Sequence, residues 1–202
     1  MFIKICGCRR EEDVAAAAAA GASAVGLILA PGFRRSLGQE QAERVRAAVP
    51  AGVWAVGVFL DQPLDEVLAT ARALRLDAVQ LHGAEADDYC ARARAACRVI
   101  RAWSGAGDPP AADVVLAEPH AGRAGGLGAA WDWSAAAHWD LSAPLLLSGG
   151  LDPDNVAAAC AAARPWGVDV SSGVEACGVK DPERIAAFCA AARGWEKGRR
   201  AR

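Results

Sequence analysis

Short β-type runs alternate with helical patterns along almost the whole chain, and that alternation constrains the fold more than any other feature. Phe2 to Cys6 precedes an acidic-start, Ala-rich helical stretch from Glu11 to Ala20. Ala24 to Leu29 precedes Gln39 to Val49, and Val53 to Phe59 precedes Leu64 to Leu74, where Val67, Leu68, Ala71 and Leu74 keep helical spacing. Asp77 to Leu81 precedes Ala86 to Ala96, and Arg98 to Ala102, Asp113 to Ala117, Pro144 to Ser148 and Gly167 to Ser171 complete eight runs. Strands that alternate with helices predict an α/β fold with a parallel sheet and crossover helices. Eight units in a row predict a single closed (β/α)8 TIM barrel. The segment Trp103 to Ala112 holds Gly105, Gly107, Pro109 and Pro110, so the fifth helix is expected to be degenerate. An open doubly wound sheet would need a Gly-rich fingerprint after the first strand, and none is there.

At 202 residues the barrel is small and its loops must be short, so one domain over 1–202 is expected. The basic stretch in 195–202 reads as a frayed tail. A net charge of −2 argues against a nucleic-acid partner. No run approaches the roughly 20 apolar residues of a membrane span. Seven cysteines, an odd number without a framework, read as reduced thiols, and a cytoplasmic location is expected.

Barrel enzymes place their chemistry at the C-terminal ends of the strands. Those positions hold Cys6, Arg34-Arg35, Asp61, His82, Glu118, Gly149-Gly150 and Ser171-Ser172-Gly173. Glycine turns after the seventh and eighth strands let backbone N–H groups approach an anion, and the first of them opens a helix. Together they point to a phosphate site. Cys6 would reach the mouth as a base or nucleophile, and His82 would orient a ligand or move protons. Arg35 has the fork geometry for a carboxylate or phosphate. Trp54, Trp166 and Trp195 read as packing residues, whereas Trp131 and Trp133 would shape a pocket wall.

Lys4-Ile5-Cys6-Gly7, the Ala30-Pro31…Arg35 loop, Val56 to Phe59, Leu76 to Gly83, Gly149-Gly150-Leu151…Asn155-Val156 and Val168 to Glu175 resemble, in order, the phosphoribosylanthranilate isomerase family of tryptophan biosynthesis. The resemblance implies an Amadori rearrangement of N-(5-phosphoribosyl)anthranilate to 1-(2-carboxyphenylamino)-1-deoxyribulose 5-phosphate, with no cofactor and no metal. It implies Cys6 as general base and Arg35 and His82 as substrate-binding residues. It assigns Gly149, Gly150, Asp169, Ser171, Ser172 and Gly173 to the phosphate. A small phosphoribosyl substrate and a monomer or homodimer are expected.

Two blocks depart from the family pattern. Where the family carries its acidic aspartate at the end of strand six, this chain reads Leu116-Ala117-Glu118-Pro119-His120. Ala117 takes the acid position, and Glu118, one residue on and facing the other way on a regular strand, is the substitute acid, with His120 second. The family's Gly-Gly-Thr-Gly-Lys-Thr loop becomes Gly125-Gly126-Leu127-Gly128-Ala129-Ala130. Two other readings therefore stay open: a divergent paralogue with different chemistry on a related phosphoribosyl N-glycoside in specialised metabolism, and a non-catalytic phosphoribosyl binder.

Overall fold

The computed structural model describes residues 1–118 and 131–200. Eight parallel strands close into a barrel in chain order. They are β1 (Phe2–Cys6), β2 (Ala24–Ile28), β3 (Trp54–Phe59), β4 (Ala78–Leu81), β5 (Arg98–Trp103), β6 (Val114–Ala117), β7 (Leu145–Leu147) and β8 (Gly167–Val170). Helices α1 (Glu11–Ala19), α2 (Gln39–Ala47), α3 (Leu64–Ala73) and α4 (Asp87–Arg94) follow the first four strands, and α5 (Val156–Ala163) follows β7. No helix links β5 to β6, as the Gly and Pro content of that segment predicts. A 3-10 helix, Trp133–His138, stands before β7.

Two features were not anticipated from the sequence. After β8 and a short 3-10 turn, Ser172–Val174, the chain forms a hairpin of β9 (Glu175–Ala176) and β10 (Val179–Lys180). The last helix, α6 (Pro182–Arg200), also runs through the stretch expected to fray from residue 195. Trp195 packs against the core, and the Arg199 guanidinium lies over its ring, 5.5 Å from the ring centre. Apolar burial and a cation–π contact hold that last turn in place.

Strand alternation sorts the side chains into two shells. Ala24, Val56, Ala78, Ile100, Ala102, Val114, Leu116 and Leu146 fill the barrel interior. Ile3, Ile5, Val25, Leu27, Ala117, Leu147 and Val168 face the helices instead. The register then decides what meets what. Lys4 stands beside Asp169 across the β1–β8 seam, and Cys6 stands beside Gly26 across β1–β2. A Cβ at Gly26 would lie 2.7 Å from the Cys6 Sγ, so this glycine leaves the room that the thiol fills.

Candidate active site

The inward positions at the C-terminal strand ends surround a cavity of about 280 Å³. Its walls include Cys6, Arg35, His82, Glu118, Gly149, Gly150, Asp169, Ser171 and Ser172. Strand ends that are far apart in sequence thus converge on one space. Asp61 does not line it. Its backbone is left-handed (φ 55°), and its carboxylate turns away to accept the Ala84 N–H at 2.6 Å. Gly173 is also outside the lining: a Cβ there would run into the Leu151 carbonyl, so it packs the β8 exit against the β7 exit. His120 lies outside the described residues, as does the Gly125–Ala130 block.

Cys6 sits at the end of β1 and is almost fully buried. Burial pushes its thiol up, while the Lys4 ammonium pulls it back toward ionisation and Lys180 adds to that pull. Lys4 is wholly buried and bonds Asp169 at 2.9 Å. Burial works against its charge, but Asp169 and Cys6 hold it above the ordinary lysine range. Asp169 is therefore the counter-ion of Lys4 beneath the thiol. Its carboxylate is thus engaged by a buried cation at the cavity wall, whereas the sequence reading places it with the phosphate turns.

The strand-six departure resolves differently from the expectation. Leu116 points into the barrel and Ala117 points at the helices, so the next inward position is Glu118. Glu118 is buried, lines the cavity and accepts a hydrogen bond from the Ser148 Oγ at 3.1 Å. The carboxylate one residue later is the one on the site's side of the sheet.

His82 ends β4 and lines the cavity above Gln80. Burial, with help from Lys4 and Arg101, pushes its pKa down to about 4, so the ring is neutral near pH 7. Its Nδ1 lies 3.2 Å from Gln80 Nε2. His82 Nε2, Gln80 Oε1 and Ser171 Oγ are buried without a hydrogen-bond partner among the described residues. Buried polar atoms normally have partners, and three orphans on one cavity mark it as a place where a polar ligand belongs.

Across the mouth, Gly149 and Gly150 take left-handed backbone (φ 85° and 68°), and their N–H groups donate to no other described residue. The start of α5 is less open than expected, because the Asp152 carboxylate accepts the N–H groups of Asp154 and Asn155. The unbonded backbone N–H groups at this part of the mouth are therefore those of the glycine turn, with Ser171 and Ser172 beside it, and not those of the helix end. Trp131 and Trp133 do not form a wall either. From behind, they donate to the Ser148 and Gly149 carbonyls at 2.9 and 3.1 Å and tether the turn.

Beside the cradle, Arg34, Arg35 and Lys180 converge on Glu175. Lys4, Gln80, Ser148, Glu175 and Lys180 are groups that sequence reasoning did not single out. Lys4 and Gln80 carried a usable signal: each is a polar residue two positions before a site residue, on the same face of its strand. Among the described residues, no cluster of three or more His, Cys, Asp or Glu side chains is placed to hold a metal ion. No helix there is long and apolar enough to cross a membrane.

A buried thiol beside an ammonium, a carboxyl group on the facing strand and an anion cradle in a single cavity define a barrel enzyme for proton-transfer chemistry on a small anionic substrate. Comparison with known proteins narrows this. Residues 3–191 match the family model for N-(5'-phosphoribosyl)anthranilate (PRA) isomerase. N-(5'-phosphoribosyl)anthranilate isomerase of Chromohalobacter salexigens is 45% identical over 182 residues, covering 86% of this chain and 85% of that one. The crystal structure of phosphoribosyl anthranilate isomerase from Thermus thermophilus superposes with a TM-score of 0.85 at 36% identity, covering 96% of this chain and 99% of that one. A phosphoribosyl anthranilate isomerase in complex with reduced 1-(o-carboxyphenylamino)-1-deoxyribulose 5-phosphate superposes with a TM-score of 0.83 at 33% identity, with 96% and 99% covered. The chain belongs to the phosphoribosylanthranilate isomerase family.

Proposed function

We propose that the barrel, as one domain over 1–202, isomerises N-(5-phosphoribosyl)anthranilate to 1-(2-carboxyphenylamino)-1-deoxyribulose 5-phosphate, with Cys6 as general base and Glu118 as general acid. The observation that carries this assignment of roles is the inward turn of Glu118 into the cavity that holds Cys6. Glu118 protonates the ribose ring oxygen, and the C1–O bond breaks as the anthranilate nitrogen lone pair forms an iminium. The Cys6 thiolate then takes the C2 proton, and the electron pair moves to the nitrogen. The resulting enol-amine becomes the ketone when its hydroxyl proton is lost and C1 is protonated. Atoms and electrons balance without an external oxidant.

The remaining walls support positions for the substrate. The phosphate sits against Gly149, Gly150, Ser171 and Ser172, where free N–H groups and a hydroxyl meet it. The anthranilate carboxylate pairs with Arg35, with Phe33 and Val58 beside the ring. Neutral His82 offers a nitrogen to the ribose hydroxyls. Every group used here comes from one chain, so a monomer or a homodimer serves equally.

The test is incubation with freshly made phosphoribosylanthranilate, following substrate fluorescence and product mass together. An isomerase consumes the substrate signal and leaves the mass unchanged. A product of different mass identifies the paralogue chemistry, and tight binding without turnover identifies a binding protein; either result overturns the proposal.

A further inference from the structure

We infer that Glu175 is a positioning residue that fixes the Arg35 guanidinium for the substrate carboxylate, bracing it against the hairpin after β8. The inference rests on the reading of Arg35 as the partner of the substrate carboxylate. Glu175 is outside the cavity lining, but four donors meet its two oxygens. Its Oε1 accepts from Arg35 Nε at 2.7 Å and from Lys180 Nζ at 2.9 Å. Its Oε2 accepts from Arg35 Nη2 at 3.0 Å and from Arg34 Nη2 at 2.6 Å. A carboxylate has about four acceptor sites, so Glu175 is fully occupied and has nothing left for a substrate or a proton transfer.

What it holds spans two segments, and Lys180 ties in a third. Arg34 and Arg35 come from the loop after β2, Glu175 and Lys180 from the hairpin after β8, and Lys180 also donates to the Ser171 carbonyl at 2.8 Å. Arg34 closes the set by donating to the Gly178 carbonyl at 2.6 Å. One anion thus joins the carboxylate-reading and phosphate-reading sides of the mouth. Glu175 takes up the Nε and one Nη2 hydrogen of Arg35 and leaves the Nη1 edge for a ligand. Three cations against one anion leave this cluster with an excess of two positive charges beside the cavity, suited to a substrate with a carboxylate and a phosphate. Although burial works against its charge, the hydrogen bonds from Arg35, Lys180 and Arg34 hold the Glu175 carboxyl well below the usual carboxylate range. The clasp therefore stays charged across any practical assay pH.

The experiment compares two substrates: phosphoribosylanthranilate and N-(5-phosphoribosyl)aniline, which lacks the carboxylate. Glu175→Gln is expected to raise KM for the first about 10- to 100-fold, the range of one charge-assisted hydrogen bond, with kcat within about threefold. For the aniline compound the rise is expected to stay below about threefold. Glu175→Asp, which keeps the charge but shortens the reach, gives a smaller rise in the same direction and serves if the Gln variant does not fold. An equal KM penalty on both substrates, or a fall in kcat at constant KM, overturns the inference. So does a silent Glu175→Gln in an enzyme whose KM responds to Arg35→Ala. If Arg35→Ala leaves both KM values unchanged, the carboxylate reading of Arg35 fails, and this inference fails with it.

Discussion

The two mouths of the barrel are built from the same strands and the same alternation, yet they are filled in opposite ways. At the N-terminal mouth Phe2 packs edge-on to Trp54 at 5.2 Å and stacks on Trp166 at 4.5 Å, and the Arg98 guanidinium covers Trp54 at 4.9 Å. This end is an aromatic plug. At the C-terminal mouth the same inward rows end in Cys6, His82, Glu118, Ser148 and Asp169 around open space. Lys4 lies between Phe2 and Cys6 on one strand and marks the change from packing to chemistry. Stability and catalysis are thus separated along the barrel axis by a few residues of strand.

If that separation holds, substitutions at the two ends should differ in kind. The largest effect is expected for Cys6→Ala, which should lower kcat by about 10²–10⁴-fold or more in stopped-flow assays while urea unfolding changes little. Glu118→Gln should cost about 10²-fold by the same assay. Wild-type turnover in that variant would remove Glu118 as the acid. Trp54→Ala should show the reverse pattern, losing about 3–5 kcal/mol in urea unfolding but keeping kcat at temperatures well below its melting point.

A smaller effect is expected in the pH dependence of stability, from His82 at the C-terminal mouth. The ordinary histidine value is 6.5, and in the fold His82 is pushed down to about 4 by burial first, then by Lys4 and Arg101. Between these values the unfolded chain binds the extra proton, so stability is present above pH 6.5 and is lost as the pH falls toward 4. The loss amounts to about 3 kcal/mol for a shift of this size. Urea midpoints measured from pH 7 to pH 4 should fall accordingly, and His82→Asn should flatten the curve.

The smallest expected effect is on the pH–rate profile. Burial holds the Cys6 thiol above its ordinary value and Lys4 opposes this, so kcat/KM should still be rising above neutral pH. Replacing Lys4 and Asp169 together by Met and Asn removes the stronger, favourable charge. It should move the rising limb to higher pH, and a limb that moves to lower pH would show that Lys4 does not support the thiolate.

Much of this was legible in the sequence because strand ends announce themselves. Cys6 closes an apolar run before a glycine, and the Gly149-Gly150 and Ser171-Ser172 turns follow the last two runs, so their convergence follows once the barrel is granted. Which face of a strand a residue takes is harder to read. Ala117 and Glu118 differ only in phase, and that phase is set by pairing, with Leu116 beside Ala102 on one side and Leu146 on the other. Trp131 and Trp133 looked like pocket walls because they are aromatic and near a mouth. Their indole N–H groups needed carbonyl partners, and those partners lie behind the turn.

The number and order of the strand–helix units, the missing fifth helix and the residues available at each strand end are all readable along the chain. Those properties come from local periodicity and backbone preference, which act over a few neighbouring residues. Closure of the barrel is what sets Asp169 against Lys4, turns Glu118 into the cavity and gathers three cations on Glu175. Each of these depends on register or loop contact between segments up to 165 residues apart, as between Lys4 and Asp169. Charge pairing across such distances follows from barrel closure, which brings the first strand against the last.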